Sequence, residues 1–182
     1  MTADWLERRF GAEVTVLPFD LHPEYPAEGM PRARLRERYG EEVDDYLSAF
    51  FERSGLRFNP PDVMPNSRAA LRLTELGRDR GMHRALHDRL MAALWDEGRD
   101  LGDQTELRTL AVEAGLDVAE VDGVLAGDAY RDRIAASTRQ AQSIGINGIP
   151  AFLIDRRLLV LGAQPPEAFE QAFAQLEKSD VT

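Results

Sequence analysis

The chain has 182 residues, 43% of them apolar, which is enough for one compact domain or a small core carrying an inserted subdomain and too little for two full-size domains. With 22 basic against 32 acidic residues, a net of -10, it lacks the clustered cations that track phosphates, so nucleic acid and anionic membranes are excluded as expected partners. It contains no cysteine, which removes disulfides, thiolate metal sites and thiol nucleophiles together.

Trp5, Leu6 and Phe10 at helical spacing, stopped by Gly11, predict an amphipathic helix with a glycine cap. Val14, Val16, Leu17, Phe19 and Leu21, closed by His22 and Pro23, then predict a strand buried on both faces in a parallel sheet. After a loop rich in proline and glycine, Leu35, Tyr39, Val43, Tyr46, Leu47 and Phe50 predict two helical pieces interrupted at Gly40. Asn59, Pro60, Pro61 and Pro65 break the chain again, and Asn66 or Ser67 can cap a helix whose core side carries Ala70, Leu73 and Leu76 before Gly77.

A second member, roughly residues 82–95, buries Leu86, Leu90, Met91 and Leu94. Two capping boxes follow, Asp103 with Glu106 and Asp117 with Glu120, starting helices at Gln104 and Val118. A longer helix over about 130–144 ends at Gly145, where the period changes from helical to extended. Ala151 to Ile154 and Leu158 to Leu161 flank Asp155, Arg156 and Arg157, the layout of a β-hairpin, and Pro165 and Pro166 open a last helix with Phe169, Ala172, Phe173 and Leu176 on one face. Many helices lodged between one strand and a terminal hairpin and helix predict an α/β sheet carrying an all-helical insertion.

The segment Gly145-Ile146-Asn147-Gly148-Ile149-Pro150-Ala151-Phe152 resembles the loop that presents a cis-proline in thioredoxin-fold proteins. Phe19-Asp20-Leu21-His22-Pro23-Glu24, Pro65-Asn66-Ser67-Arg68, Trp95-Asp96-Glu97-Gly98-Arg99-Asp100-Leu101-Gly102-Asp103 and Leu161-Gly162-Ala163-Gln164-Pro165 resemble, in the same order, segments of the FrnE-like branch of the DsbA thiol-disulfide oxidoreductases. The resemblance implies an α/β thioredoxin-like fold, with residues 1–31 and 135–182 forming a partial thioredoxin-like domain and 32–134 a large all-helical insertion. It implies that Gly148, Ile149 and Pro150 face an extended peptide or protein thiol, with the Ile149 backbone free to pair with it. His22 is a further candidate for substrate contact, weighed against a role in capping loop backbone.

In these relatives the first strand and the Cys-x-x-Cys turn precede the point where Met1 falls. Their absence predicts two facing rows of unpaired backbone, at roughly 1 to 3 kcal/mol per buried group, met by a split sheet or by pairing with a second chain, as in a homodimer. A chain start set too late is favoured over a real loss on that foldability cost. The expected activity is therefore that of a cytoplasmic oxidoreductase family member which, as given, has no catalytic residue, no cofactor and no redox turnover. The alternatives are a cysteine-free peptide-binding protein and a relative of the glutathione-dependent 2-hydroxychromene-2-carboxylate isomerases.

His83 and His87, with Glu75 and Asp79, form a four-residue stripe that a zinc ion could use, but surface histidines are the expected reading and no metal site is predicted. Trp95 is expected in the core rather than as a stacking platform. Glu41, Glu42, Asp44 and Asp45 mark a helix start on a solvated face.

Overall fold

A computed structural model describes residues 2–53 and 55–180, with the Asp180 side chain left out. Helix α1, Thr2–Phe10, ends where the N–H of Gly11 donates to the Glu7 carbonyl at 2.9 Å. From Gly11 to Asp20 the chain runs without turn, bend or ladder partner. Strand β1, Met30–Pro31, leads into α2, Arg32–Tyr39, and α3, Val43–Arg53, which are separated at Gly40 as the apolar spacing predicts. Strand β2, Val63–Met64, pairs antiparallel with β1. Helices α4, Arg68–Asp79, α5, His83–Trp95, α6, Gln104–Glu113, and α7, Val118–Ala126, follow. Then come α8, Arg131–Ser143, the hairpin of β3, Ala151–Ile154, and β4, Leu158–Leu161, and finally α9, Pro166–Asp180.

The chain forms two compact units that divide between Ser137 and Thr138, inside α8. In the first, α4 to α7 enclose the main core: Leu73, Leu86, Leu107, Leu110 and Val121 are fully buried. Each such side chain contributes on the order of 1.5–3 kcal/mol through removal of apolar surface from water. Gly77 does not end α4; it lies inside the helix, where a Cβ would sit 3.2 Å from Cδ2 of Leu86, so its bare backbone lets α5 approach. The Asn66 Oδ1 accepts the N–H of Arg68 at 3.2 Å, while Ser67 occupies the cap position without a side-chain bond. At α6 and α7 the two aspartates accept as expected: Asp103 from Thr105 at 2.7 Å and Asp117 from Ala119 at 2.9 Å. Their glutamate partners turn instead to arginines, Glu106 to Arg99 and Glu120 to Arg80, because a guanidinium offers a stronger charge-assisted bond than a cap N–H.

In the second unit, β3 and β4 pair in the register Ala151 to Leu161 through Ile154 to Leu158, and buried Phe169 of α9 meets Phe152 edge-on at 5.0 Å. Three residues separate the paired Ile154 and Leu158: Asp155 and Arg156 adopt positive φ, +51° and +55°, and the N–H of Arg157 donates to the Ile154 carbonyl at 3.0 Å.

One element departs from the sequence expectation. Val14 to Leu21 is not a buried strand in a parallel sheet: among the described residues the two sheets are β1 with β2 and β3 with β4, and neither includes it. Val16 and Leu17 are 43% and 63% exposed. The segment has the extended course its composition calls for, but no neighbouring strand supplies a hydrogen-bond ladder, so alternate carbonyls are satisfied by side chains instead. Pairs β1 and β2 lie where only proline-rich loop was expected, because two-residue strands carry no readable period.

Candidate functional site

The corner before β3 is built by the end of α8. The N–H of Gly145, at φ +89°, donates to Gln142 O at 3.0 Å and that of Ile146 to Ala141 O at 3.0 Å, a paired termination that buries Ile146 and turns the chain outward. Asn147, Gly148 and Ile149 are then exposed, Ile149 at 57%, and the Ile149–Pro150 bond is cis. The Pro150 carbonyl accepts the N–H of Gly162 at 2.8 Å, tying the corner to the residue after β4.

That bond sets the alternation along β3. In an antiparallel ladder hydrogen-bonded residues recur every second position, so Pro150, Phe152 and Ile154 turn their backbone groups toward β4. The backbones of Ala151 and Leu153 face the opposite edge, which pairs with no strand among the described residues, and Ile149, across the cis bond, has no backbone hydrogen-bond partner among them. Ile149 and Leu153 also leave large apolar side chains in water. Gly148, Ile149 and Pro150 thus share one corner of the second unit.

His22 belongs to the first unit. Its ring stacks on buried Tyr25 with centroids 4.4 Å apart, and Nδ1 lies 3.2 Å from Oε1 of Glu24, so it meets a carboxylate and an aromatic face rather than loop backbone. The same loop is pinned by Asn66, whose Nδ2 donates to Tyr25 O at 2.9 Å, and by Arg68, which donates to Pro23 O. A backbone hydrogen bond, then those from His22 and Arg38, hold Glu24 below the usual carboxylate range, and burial pushes the Tyr25 phenol up.

The histidine stripe is not assembled. His83 and His87 stack at 6.0 Å, but Glu75 is bound by Arg78 at 3.1 Å and Arg133 at 3.3 Å, and Asp79 by Arg133 at 2.8 Å. No group of three or more metal-ligating side chains comes together among the described residues. Trp95 is half-buried in an aromatic cluster with Phe51 at 5.3 Å and Phe58 at 5.9 Å, the latter covered by the Arg32 guanidinium at 5.7 Å.

Two groups that sequence reasoning missed act on the extended run. Arg78 donates to the Val16 carbonyl, and the Ser137 hydroxyl donates to the Pro18 carbonyl at 2.7 Å. Both partners lie many residues away in sequence, so no local pattern signals them.

Comparison with known proteins agrees with this geometry. Residues 3–174 match the family described as DSBA-like thioredoxin domain. The uncharacterized protein YwbO of Bacillus subtilis is 25% identical over 169 residues, which cover 91% of this chain and 83% of that one. The crystal structure of a probable DsbA oxidoreductase from Streptomyces coelicolor superposes with a TM-score of 0.84 at 35% identity, over 92% of this chain and 76% of that chain. A 2-hydroxychromene-2-carboxylate isomerase, at 19% identity and a TM-score of 0.65, covers 100% of this chain and 90% of its own, a likeness of fold alone. With a family match over nearly its whole length, a helix-rich body with small sheets and the proline corner in place, the chain belongs to the DSBA-like thioredoxin domain family.

Proposed function

We propose that this protein holds extended polypeptide segments at the Gly148-Ile149-Pro150 corner, and that residues 1–182 carry out no thiol-disulfide exchange. The observation that carries the reading is the open edge of β3, where Ile149, Ala151 and Leu153 present unpaired backbone beside exposed apolar side chains. Such an edge takes an added strand through main-chain hydrogen bonds, with alternate side chains giving selectivity. Exchange chemistry needs a thiolate to attack sulfur, and none of the 182 residues supplies one.

In the finer architecture we favour, residues 1–31 and 135–182 are the thioredoxin-like portion and 32–134 the helical insertion. A second reading, dithiol oxidoreductase, is favoured by the 35% identity to the Streptomyces protein, and it requires cysteines from outside these residues. His22 contacts substrate only if its ring leaves Tyr25, so it ranks below the corner as a binding residue.

The test joins two measurements on the purified chain. Insulin reduction with dithiothreitol should proceed at the uncatalysed rate, and an unfolded client should slow hydrogen exchange at the Ile149, Ala151 and Leu153 amides. Turnover above background, or client binding that leaves those amides unprotected, would refute the proposal.

A further inference from the structure

Helix α3 is held along one face. Asp44 is bound by Arg32 and Arg36 of α2 at 2.7 and 2.8 Å, and Phe51, two turns on, meets Trp95 at 5.3 Å and Phe58 at 5.2 Å. No residue of α2 or α3 is fully buried. The Glu42 carbonyl accepts the N–H of Tyr46 at 2.9 Å, so Glu42 stands at the first turn of α3. At about 100° per residue, Glu42, Tyr46, Ala49 and Arg53 then fall together on the face opposite Asp44 and Phe51. That face is open: Tyr46 is 67% exposed, and the exposed Glu42 and Arg53 side chains have no ion partner among the described residues. Two more exposed apolar side chains bracket it in sequence, Tyr39 at 53% and Leu56 at 49%, the latter tied to the helix end by its N–H on the Phe51 carbonyl at 2.9 Å.

The order of these side chains is self-complementary. Read from opposite directions about the point between Leu47 and Ser48, Tyr39 stands against Leu56, Glu42 against Arg53 and Tyr46 against Ala49. The spacing, three and four residues by turns, is that of a seam between helices, with small Ala49 set where the large Tyr46 of a facing helix must enter. A two-fold axis through that point brings each acid onto the base of the other copy.

We infer that this face pairs antiparallel with the same face of a second copy, making a homodimer through α3 and the residues at its two ends. Charge complementarity selects that occupant: an acid and a base, each without an ion partner in its own chain, stand equally far from the centre. Two chains of net -10 repel at long range, but at about 0.15 M salt that field is screened beyond about 8 Å, while contact pairs are screened much less. The contact lies on the helical arm, not on the sheet rows where the resemblance sets the family's first strand. It uses no residue of the Ile149 corner and does not rest on that reading.

The experiment is sedimentation equilibrium of the full chain over a range of concentrations at physiological salt. The mass should climb from that of one copy toward twice that value, and only at high concentration, because one short helix from each side makes a small, transient interface. Arg53→Glu and Glu42→Arg each set like charges face to face and should raise the dissociation constant at least about tenfold. An acid at the start of a helix and a base at its end also suit the helix's own dipole, so the deciding variant exchanges both. Glu42→Arg with Arg53→Glu opposes that dipole but restores opposite charges across the axis, and it should return to within about threefold of the starting value. A single-copy mass up to about 1 mM would overturn the inference. So would a dimer unmoved by either single exchange, as one formed through sheet edges would be, or a double variant that dimerises no more tightly than the singles.

Discussion

The Glu75 carboxylate, 1% exposed on α4, is reached by the Arg133 guanidinium of α8 at 3.3 Å. Arg78, one turn along α4, binds the same carboxylate at 3.1 Å and donates onward to Val16 O. One buried anion therefore joins the core helix, α8 and the extended run, and it orients the arginine that closes one edge of that run.

Glu75→Gln keeps the size of the side chain but removes the charge that organises both guanidiniums. Since Arg78 and Arg133 are partly exposed and retain water, the expected loss is about 1–3 kcal/mol, below the range for a wholly buried pair. Urea unfolding measures it. The same variant should speed exchange at the amides of residues 14–17, which a local loss of helix stability alone would not do.

Acid should destabilise the fold in two stages. Burial, with the neighbouring charges of Arg78 and His87, holds His83 below its ordinary value of 6.5. The folded state thus binds its proton less readily than the unfolded chain, and its contribution, complete above 6.5, is lost as pH falls through the lowered value. Hydrogen bonds from Arg32 and Arg36, at 2.7 and 2.8 Å, hold Asp44 below its ordinary 3.8, so that contribution is complete above 3.8 and lost as pH falls further. Thermal melts across pH should show His83→Gln flattening the upper stage and Asp44→Asn the lower.

At the helix starts, Asp103→Ala and Asp117→Ala each leave two first-turn N–H groups to water, and each should cost about 1 kcal/mol. The two sites share no hydrogen-bond partner, so the double variant should lose the sum in denaturant titration.

Gly29→Ala should be more damaging than its chemistry suggests. Gly29 sits at φ +82°, and a Cβ there would lie 2.5 Å from the Met64 carbonyl oxygen, backbone that cannot rotate away. Left-handed strain alone costs about 1–2 kcal/mol, and the clash adds to it by separating β1 from β2. A loss under 1 kcal/mol in urea unfolding would show that the loop shifts at little expense.

Many helices were readable from apolar residues repeated every three or four positions, Leu73 with Leu76 and Leu86 with Leu90, and two more from the aspartates that start them, Asp103 and Asp117. The hairpin and its corner were equally plain, since a change of period and a proline are local signals. Gly77 misled, because a glycine that admits a neighbouring helix looks the same in sequence as one that ends its own. The metal stripe was readable as spacing but not as chemistry, for only the fold brings Arg133 to Glu75 and Asp79.

By composition alone the chain is cysteine-free and acidic, and by periodicity it is a row of helices closed by a hairpin; these follow from residue identity and short-range geometry, which do not depend on what lies across the fold. Tertiary structure decided the state of Val14 to Leu21. Its β-prone composition sets an extended course, but a strand needs a neighbour to bond, and hydrogen bonding across space is a property of arrangement. Here the arrangement offers the Arg78 and Ser137 side chains as donors and no paired strand among the described residues.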